Sequence, residues 1–269
     1  MALFGIVSSS DRRLRRFATT LSIGALAVGF ADAASPASAD AIQPLGAFHQ
    51  GEAVARDGET WLTLWRAGED GAARLAQTRV RVAHVYDPIS DAEGQRTGEG
   101  VSVPVSADGR ESPIMLLRSN RVRVGAVDAA VVEDRSAHGL PAYDFRLNGH
   151  ASRLDTVCAP APTSEPIGAG ESPRGACRWV FSADGDRRQT LLELSAAQML
   201  VDGRATWSLD GDASPHLLFA GDLDRDGRLD LIIDATDHYN LSLPTLFLSS
   251  AAGPGQFLRR VSAHRAVGC

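Results

Sequence analysis

The chain has 269 residues, 44% of them hydrophobic and 22% charged, with 27 basic residues against 33 acids, which is ordinary for a globular protein of one or two domains. Every one of those basic residues is Arg, which excludes any mechanism that rests on a lysine nucleophile, a Schiff base or a phosphate-loop lysine. The acidic balance, with Arg scattered among the acids, also argues against a nucleic-acid partner, because phosphate binding needs a concentrated basic surface.

Residues 1–39 read as an export signal. Arg12, Arg13, Arg15 and Arg16 precede an apolar run over 17–30, and Ala37-Ser38-Ala39 offers a small-residue cleavage site. The run is short of the roughly 20 apolar residues that a membrane span needs, and no comparable second segment follows. The first cysteine is Cys158, far from the cleavage site, so a lipid anchor there is not expected. Asp11 before the arginine pair and Arg15 after it favour the general secretory route over a twin-arginine one. Cleavage leaves 23 Arg against 31 acids, a formal charge of −8, in a protein expected to be secreted or periplasmic with no membrane span.

The remaining chain reads as all-β, in mainly antiparallel strands and hairpins. Trp61-Leu62-Thr63-Leu64-Trp65 is followed by the turn signal Glu69-Asp70-Gly71. The stretch 78–86 then alternates, with Val80 and Val82 inward and Arg79 and Arg81 outward, so these two segments are expected to form a hairpin. A polar loop over 87–100 leads to Val101, Val103 and Val105, whose Pro104 suggests an edge strand. Further strands are expected at 114–118, 121–127 and 143–147. After a Pro, Gly and Ser-rich stretch, a second series begins at 178–182. Asp184-Gly185 joins Trp179-Val180-Phe181 to 189–194, and Asp202-Gly203 joins Met199-Leu200-Val201 to Thr206-Trp207-Ser208-Leu209 through turns whose positive φ angles Asp and Gly accept. Strands over 245–248 and 256–261 complete the set.

In an oxidising compartment Cys158 and Cys177 are the natural pair, enclosing a segment that cannot order itself. A closed loop of this size contributes on the order of 3 kcal/mol. Cys269 is the alternative partner, and sequence does not decide between them. No C-x-x-C spacing points to a metal. The chain thus divides into the signal (1–39), an N-terminal β region (40–157), the cysteine-bounded loop (158–177) and a C-terminal β region (178–269), arranged as one sandwich or as two β domains.

The most specific stretch is 215–234, P-H-L-L-F-A-G-D-L-D-R-D-G-R-L-D-L-I-I-D. Asp222, Asp224, Asp226 and Asp230 occupy positions 1, 3, 5 and 9 of an acidic loop, and Gly227 at position 6 permits the sharp turn. Four carboxylates this close repel one another unless a cation sits among them, and the seventh-position ligand expected is the backbone carbonyl of Arg228. An EF-hand would need flanking helices and an acid at position 12, which is Ile233. The flanks are strand-like instead, and F-A-G-D-L-D-R-D-G-R-L-D-L-I-I closely resembles the FG-GAP (VCBS-type) repeat of integrin α-chain propellers and many bacterial secreted proteins. That resemblance implies a β-hairpin whose loop holds Ca²⁺ through Asp222, Asp224, Asp226 and Asp230. The sequence departs from the family at Arg225, where Gly is frequent, and at Asp234-Ala235-Thr236, which replaces the closing G-A-P. The resemblance covers about twenty residues and occurs once, so a full propeller, with typically four to eight blades, is not expected.

Asp237-His238-Tyr239-Asn240 follows directly, as either a ligand or catalytic pocket or a polar turn. Asn240-Leu241-Ser242 matches a glycosylation sequon. No G-x-S-x-G, H-E-x-x-H or G-x-G-x-x-G occurs, and the seven histidines lack metal spacing. Trp61, Trp65, Trp179 and Trp207 fit core packing better than sugar stacking. Two functions are compatible with these features. One is an exported calcium-binding β module, the ion stabilising a hairpin and shaping a surface for a protein or glycan. The other is a secreted hydrolase with Asp237 and His238 as catalytic residues beside the loop.

Overall fold

A computed structural model describes residues 40–67, 72–105, 109–161, 172–183 and 187–267. Residues 1–39, expected to be an export signal, the turns expected at 69–71 and 184–185, the middle of the cysteine-bounded loop and Cys269 lie outside the described residues. Within them the chain is almost wholly antiparallel β, interrupted by a single 3-10 turn, Asp210–Asp212. Among the described residues no helix is long and apolar enough to cross a membrane.

Nine strands make one sheet, in the order Ala41–Gln43, Glu111–Arg118, Thr60–Ala67, Ala73–Arg79, Gly125–Ala129, His216–Asp222, Asp230–Asp234, Pro244–Leu248 and Arg259–Ala263. The first strand lies against the last, so this sheet nearly closes on itself as a barrel. Six more strands form a second sheet, in the order Arg204–Leu209, Arg188–Val201, Arg174–Ala183, His150–Pro160, Tyr143–Leu147 and Val131–Asp134. Gly46–Phe48, Gly98–Ser102 and Arg81–Val85 form a third, and Leu241–Ser242 pairs with Ala266–Val267. Strands from both sides of the cysteine-bounded loop share the barrel, so that loop does not mark a boundary in packing.

Strand alternation distributes the apolar side chains between three layers. Leu64, Leu75, Leu117, Phe219, Ile232 and Leu246 point into the barrel. From the same strands Ala220, Leu231, Ile233 and Phe247 point outward, where Tyr143, Phe145, Trp179 and Phe181 of the six-stranded sheet cover them. Trp61 and Leu116 meet Val80 and Val101 under the three-stranded sheet. Asp230–Asp234 and Pro244–Leu248 are therefore buried along their whole length, which accounts for the unbroken apolar run L-I-I where alternation would predict polar residues.

Trp61 pairs with Thr78 in the expected hairpin, and Val80 is buried between exposed Arg79 and Arg81. The segment 78–86 is nevertheless two strands. At Val80 the backbone turns its hydrogen bonds to Gly58 N and Glu59 O, and the chain passes from the barrel to the three-stranded sheet. The strand before Pro104 is a correction: Gly98–Ser102 is the central strand of its sheet and ends before the proline, which therefore removes no ladder donor. Residues 189–194 and 199–201 belong to one strand, Arg188–Val201, because Ala196 in the middle is fully buried beside Cys177 and Leu194. Asp202 (φ 51°) and Gly203 (φ 76°) form the expected tight turn closing the Val201–Arg204 pair.

His49, next to the three-stranded sheet, has Nδ1 2.6 Å from Asp87 Oδ2. The hydrogen bond to Asp87 raises the His49 pKa above its ordinary 6.5. The same bond, with N–H donors from Ile89 and Ser90, lowers Asp87 from 3.8 to about 2. A raised histidine stabilises the fold below its unfolded pKa and loses that contribution as pH rises through the folded value; a lowered carboxylate loses its contribution as pH falls. The pair should therefore stabilise most between about pH 4 and 6.5. Urea midpoints of His49→Gln and the wild type should differ most near pH 5, and the difference should shrink as pH rises through the raised His49 pKa. A difference independent of pH would show that His49 acts through packing alone.

Candidate metal centre

The acidic loop closes the hairpin formed by His216–Asp222 and Asp230–Asp234, with Gly221 opposite Asp230 and Phe219 opposite Ile232. Leu223, the first loop residue, is fully buried in the barrel interior, so an apolar anchor fixes the loop's entry. Two positive φ angles then bend the chain, at Gly227 (81°) and at Arg225 (64°). Arg225 thus adopts the left-handed backbone that glycine would take at this fourth position. Its Nη2 donates to the carbonyls of Val124 (2.6 Å) and Ala126 (3.4 Å), tying the loop to the neighbouring strand. Gly125 opposite has φ 129°, a backbone angle that residues with a side chain rarely adopt, which explains the glycine there.

Asp222, Asp224 and Asp226 converge, each offering a carboxylate oxygen within 4.8 Å of the others. Asp222 accepts the N–H groups of Asp226 (3.1 Å) and Gly227 (2.9 Å) and so holds the turn that gathers the group. Asp226 accepts from Arg228 N at 2.9 Å and from the Arg228 guanidinium at 2.9 and 2.6 Å. Asp224 Oδ2 accepts the Ser250 hydroxyl at 2.5 Å, while Asp224 Oδ1 is buried and receives no proton donor. Burial, reinforced by the charges of Asp226 and Asp222, raises the Asp224 pKa against the bond from Ser250.

Asp230 is placed differently from the other three acids. It is fully buried, and its oxygens accept Leu223 N (2.8 Å), Ser249 N (2.7 Å) and the Ser249 hydroxyl (2.9 Å). It staples the start of the loop to the end of Pro244–Leu248. Burial, with the charge of Asp224 adding to it, pushes its carboxyl up to about 8 despite those donors. Ser249 and Ser250 were not singled out in the sequence. They reach the loop from the turn that follows Pro244–Leu248, about twenty residues onward, and the only signal for them is a pair of hydroxyls directly after an apolar strand.

Asp237 and His238 lie at the other end of the hairpin. The five residues of Asp230–Asp234 carry the chain about 13 Å away from the loop before they begin. His238 Nδ1 bonds Asn240 Oδ1 at 2.7 Å, Thr236 Oγ1 donates to the His238 carbonyl at 2.7 Å, and Tyr239 N donates to Gly211 O at 2.9 Å. No hydrogen bond or ion pair joins Asp237 to His238 among the described residues, and Tyr239 is 72% exposed. Residues 237–240 thus form a hydrogen-bonded polar turn.

The cluster of Asp222, Asp224 and Asp226 can hold a metal ion, since it presents hard oxygen donors with one buried oxygen lacking a partner. Fold and site together define an all-β protein with an acidic loop on a doubly buried hairpin. No family model, curated protein or solved structure matches the chain.

Proposed function

We propose that this is an exported calcium-binding β protein, a binding or structural module of FG-GAP type in its loop alone, in which Ca²⁺ stabilises the hairpin. The observation that carries this reading is the convergence of Asp222, Asp224 and Asp226, each offering a carboxylate oxygen within 4.8 Å of the others, together with Asp224 Oδ1, which is buried without a hydrogen-bond partner. Leaving such an oxygen unpaired is costly, and a divalent cation removes both the lack of a partner and the repulsion. Oxygen-only donors favour a hard ion. Asp222, Asp224, Asp226 and Asp230 would hold it, with the Arg228 carbonyl at the seventh position, and Asp230 also keeps the loop ends in place through Leu223 N and Ser249 N. The disulfide fits an oxidising compartment outside the cytoplasm.

A thermal melt with and without calcium tests this. Calcium at about ten times its dissociation constant should add roughly 1.4 kcal/mol, and at a hundredfold excess about 2.7 kcal/mol. The affinity expected of an extracellular module is about 10⁻⁴ to 10⁻³ M. Asp224→Ala should remove the calcium-dependent increment. A melting temperature unchanged by millimolar calcium, with no heat of binding in calorimetry, would reduce the loop to a decorated turn.

A further inference from the structure

Beside the acidic loop, facing the six-stranded sheet, lies a cleft of about 480 Å³, within the range of small-molecule sites. Leu147, Phe181, Leu229 and Phe257 give it an apolar lining, and Arg187 and Arg228 give it positive charge. No Asp or Glu lines it among the described residues, in a chain whose acids outnumber its Arg by 33 to 27. Asp184 and Asp186, beside Arg187 in sequence, lie outside the described residues.

Arg187 is the distinctive group. Its guanidinium sits over the ring of Phe257, 4.6 Å from the centroid, and among the described residues it has no carboxylate partner. Contact with a ring face uses the charge of a guanidinium and none of its five N–H donors. The platform beneath is rigid. Gln189 accepts from Phe257 N (2.7 Å) and Leu258 N (3.1 Å) and donates to Leu258 O (2.6 Å), and the Phe257 ring packs edge-on against Phe181 at 5.6 Å. Arg228 stands on the loop side, its charge partly balanced by Asp226.

We propose that this cleft binds an organic carboxylate with an aromatic or branched apolar body. Arg187 takes the carboxylate in its planar fork, and Phe181, Phe257, Leu147 and Leu229 take the body. A free hydrophobic acid and the C-terminal residue of a peptide share this chemistry. The assignment goes beyond the calcium reading and does not rest on it.

Calorimetric titration of the disulfide-intact protein with N-acetyl-phenylalanine, in calcium and again in EDTA, tests the proposal. Binding should be saturable, and N-acetyl-phenylalanine amide, which lacks the carboxylate, should bind at least about tenfold more weakly. Arg187→Gln, which on the folded side loses only an exposed contact with the Phe257 ring, should weaken the acid by a similar factor while lowering the melting temperature by no more than about 4 °C. N-acetyl-Gly-Gly-Phe separates the sources: tighter binding than the single residue identifies a peptide end, and equal binding a free acid. No heat up to about 10 mM acid, equal affinity for acid and amide, or an Arg187→Gln variant that binds as well as the wild type would each overturn it. Acid binding without a calcium-dependent melt would remove the ion and keep the cleft; the reverse would remove the cleft alone.

Discussion

Ile232→Ala should lower the stability of the protein by about 2–5 kcal/mol, seen as a fall of about 5–15 °C in melting temperature for a domain of this size. Ile232 is fully buried in the barrel interior, on the strand that leaves the acidic loop. Truncation there removes apolar contacts and leaves a gap that close-packed neighbours fill only in part. The carboxylates are untouched, so the calcium-dependent increment should persist in this variant. Asp224→Ala should behave in the opposite way, losing the increment while the barrel stays intact. A loss below about 1 kcal/mol for Ile232→Ala would mean that the barrel collapses readily around the site.

The second large effect is expected at the crosslink. Cys158 and Cys177 are bonded and face each other in register on neighbouring strands, His150–Pro160 and Arg174–Ala183. The bond restricts the unfolded chain across a sequence separation of 19 residues, which corresponds to about 3 kcal/mol. Replacing both cysteines by Ala avoids burying a hydroxyl at Cys177, which is fully buried with Leu194 and Ala196. Urea unfolding of that double variant, or of the wild type under reductant, should show the loss. A difference below about 1 kcal/mol would mean that strand pairing alone constrains this segment in the unfolded state as well as in the folded one.

What the sequence reveals of this fold depends on how local the signal is. Asp202-Gly203 is readable because two adjacent residues that tolerate positive φ set a turn without outside help. Asn148 (φ 51°) and Gly149 (φ 82°) make the same kind of turn between Tyr143–Leu147 and His150–Pro160, so the Asn-Gly pair is a local signal for that second strand. Other features cannot be read locally. Val80 looks like the middle of a strand, and the hydrogen bonds that divert it come from Gly58 and Glu59. The acid spacing identifies Asp222, Asp224 and Asp226 as a group, which the structure brings together. It cannot show that the oxygens of Asp230 are engaged by Leu223 and Ser249, or that Ser250 approaches Asp224, because Leu223 N is turned inward by the closure of the hairpin and the two serines arrive through the pairing of Asp230–Asp234 with Pro244–Leu248. The departure at Arg225 proves compatible with the turn once the carbonyls of Val124 and Ala126 are seen beneath its guanidinium.

The strand order of the barrel also bears on how the chain is made. Gly125–Ala129 has Ala73–Arg79 on one side and, on the other, His216–Asp222, which the ribosome supplies about ninety residues later. Until then the strands already synthesised present an unpaired edge, the kind of surface that recruits other chains. Closure waits longer still, for Arg259–Ala263 to reach Ala41–Gln43. Contacts this distant in sequence slow folding. A nascent chain halted before His216 would therefore be a half-barrel with an open seam rather than a smaller folded unit, and the protein depends on staying unpaired and unaggregated until nearly its last strand has emerged.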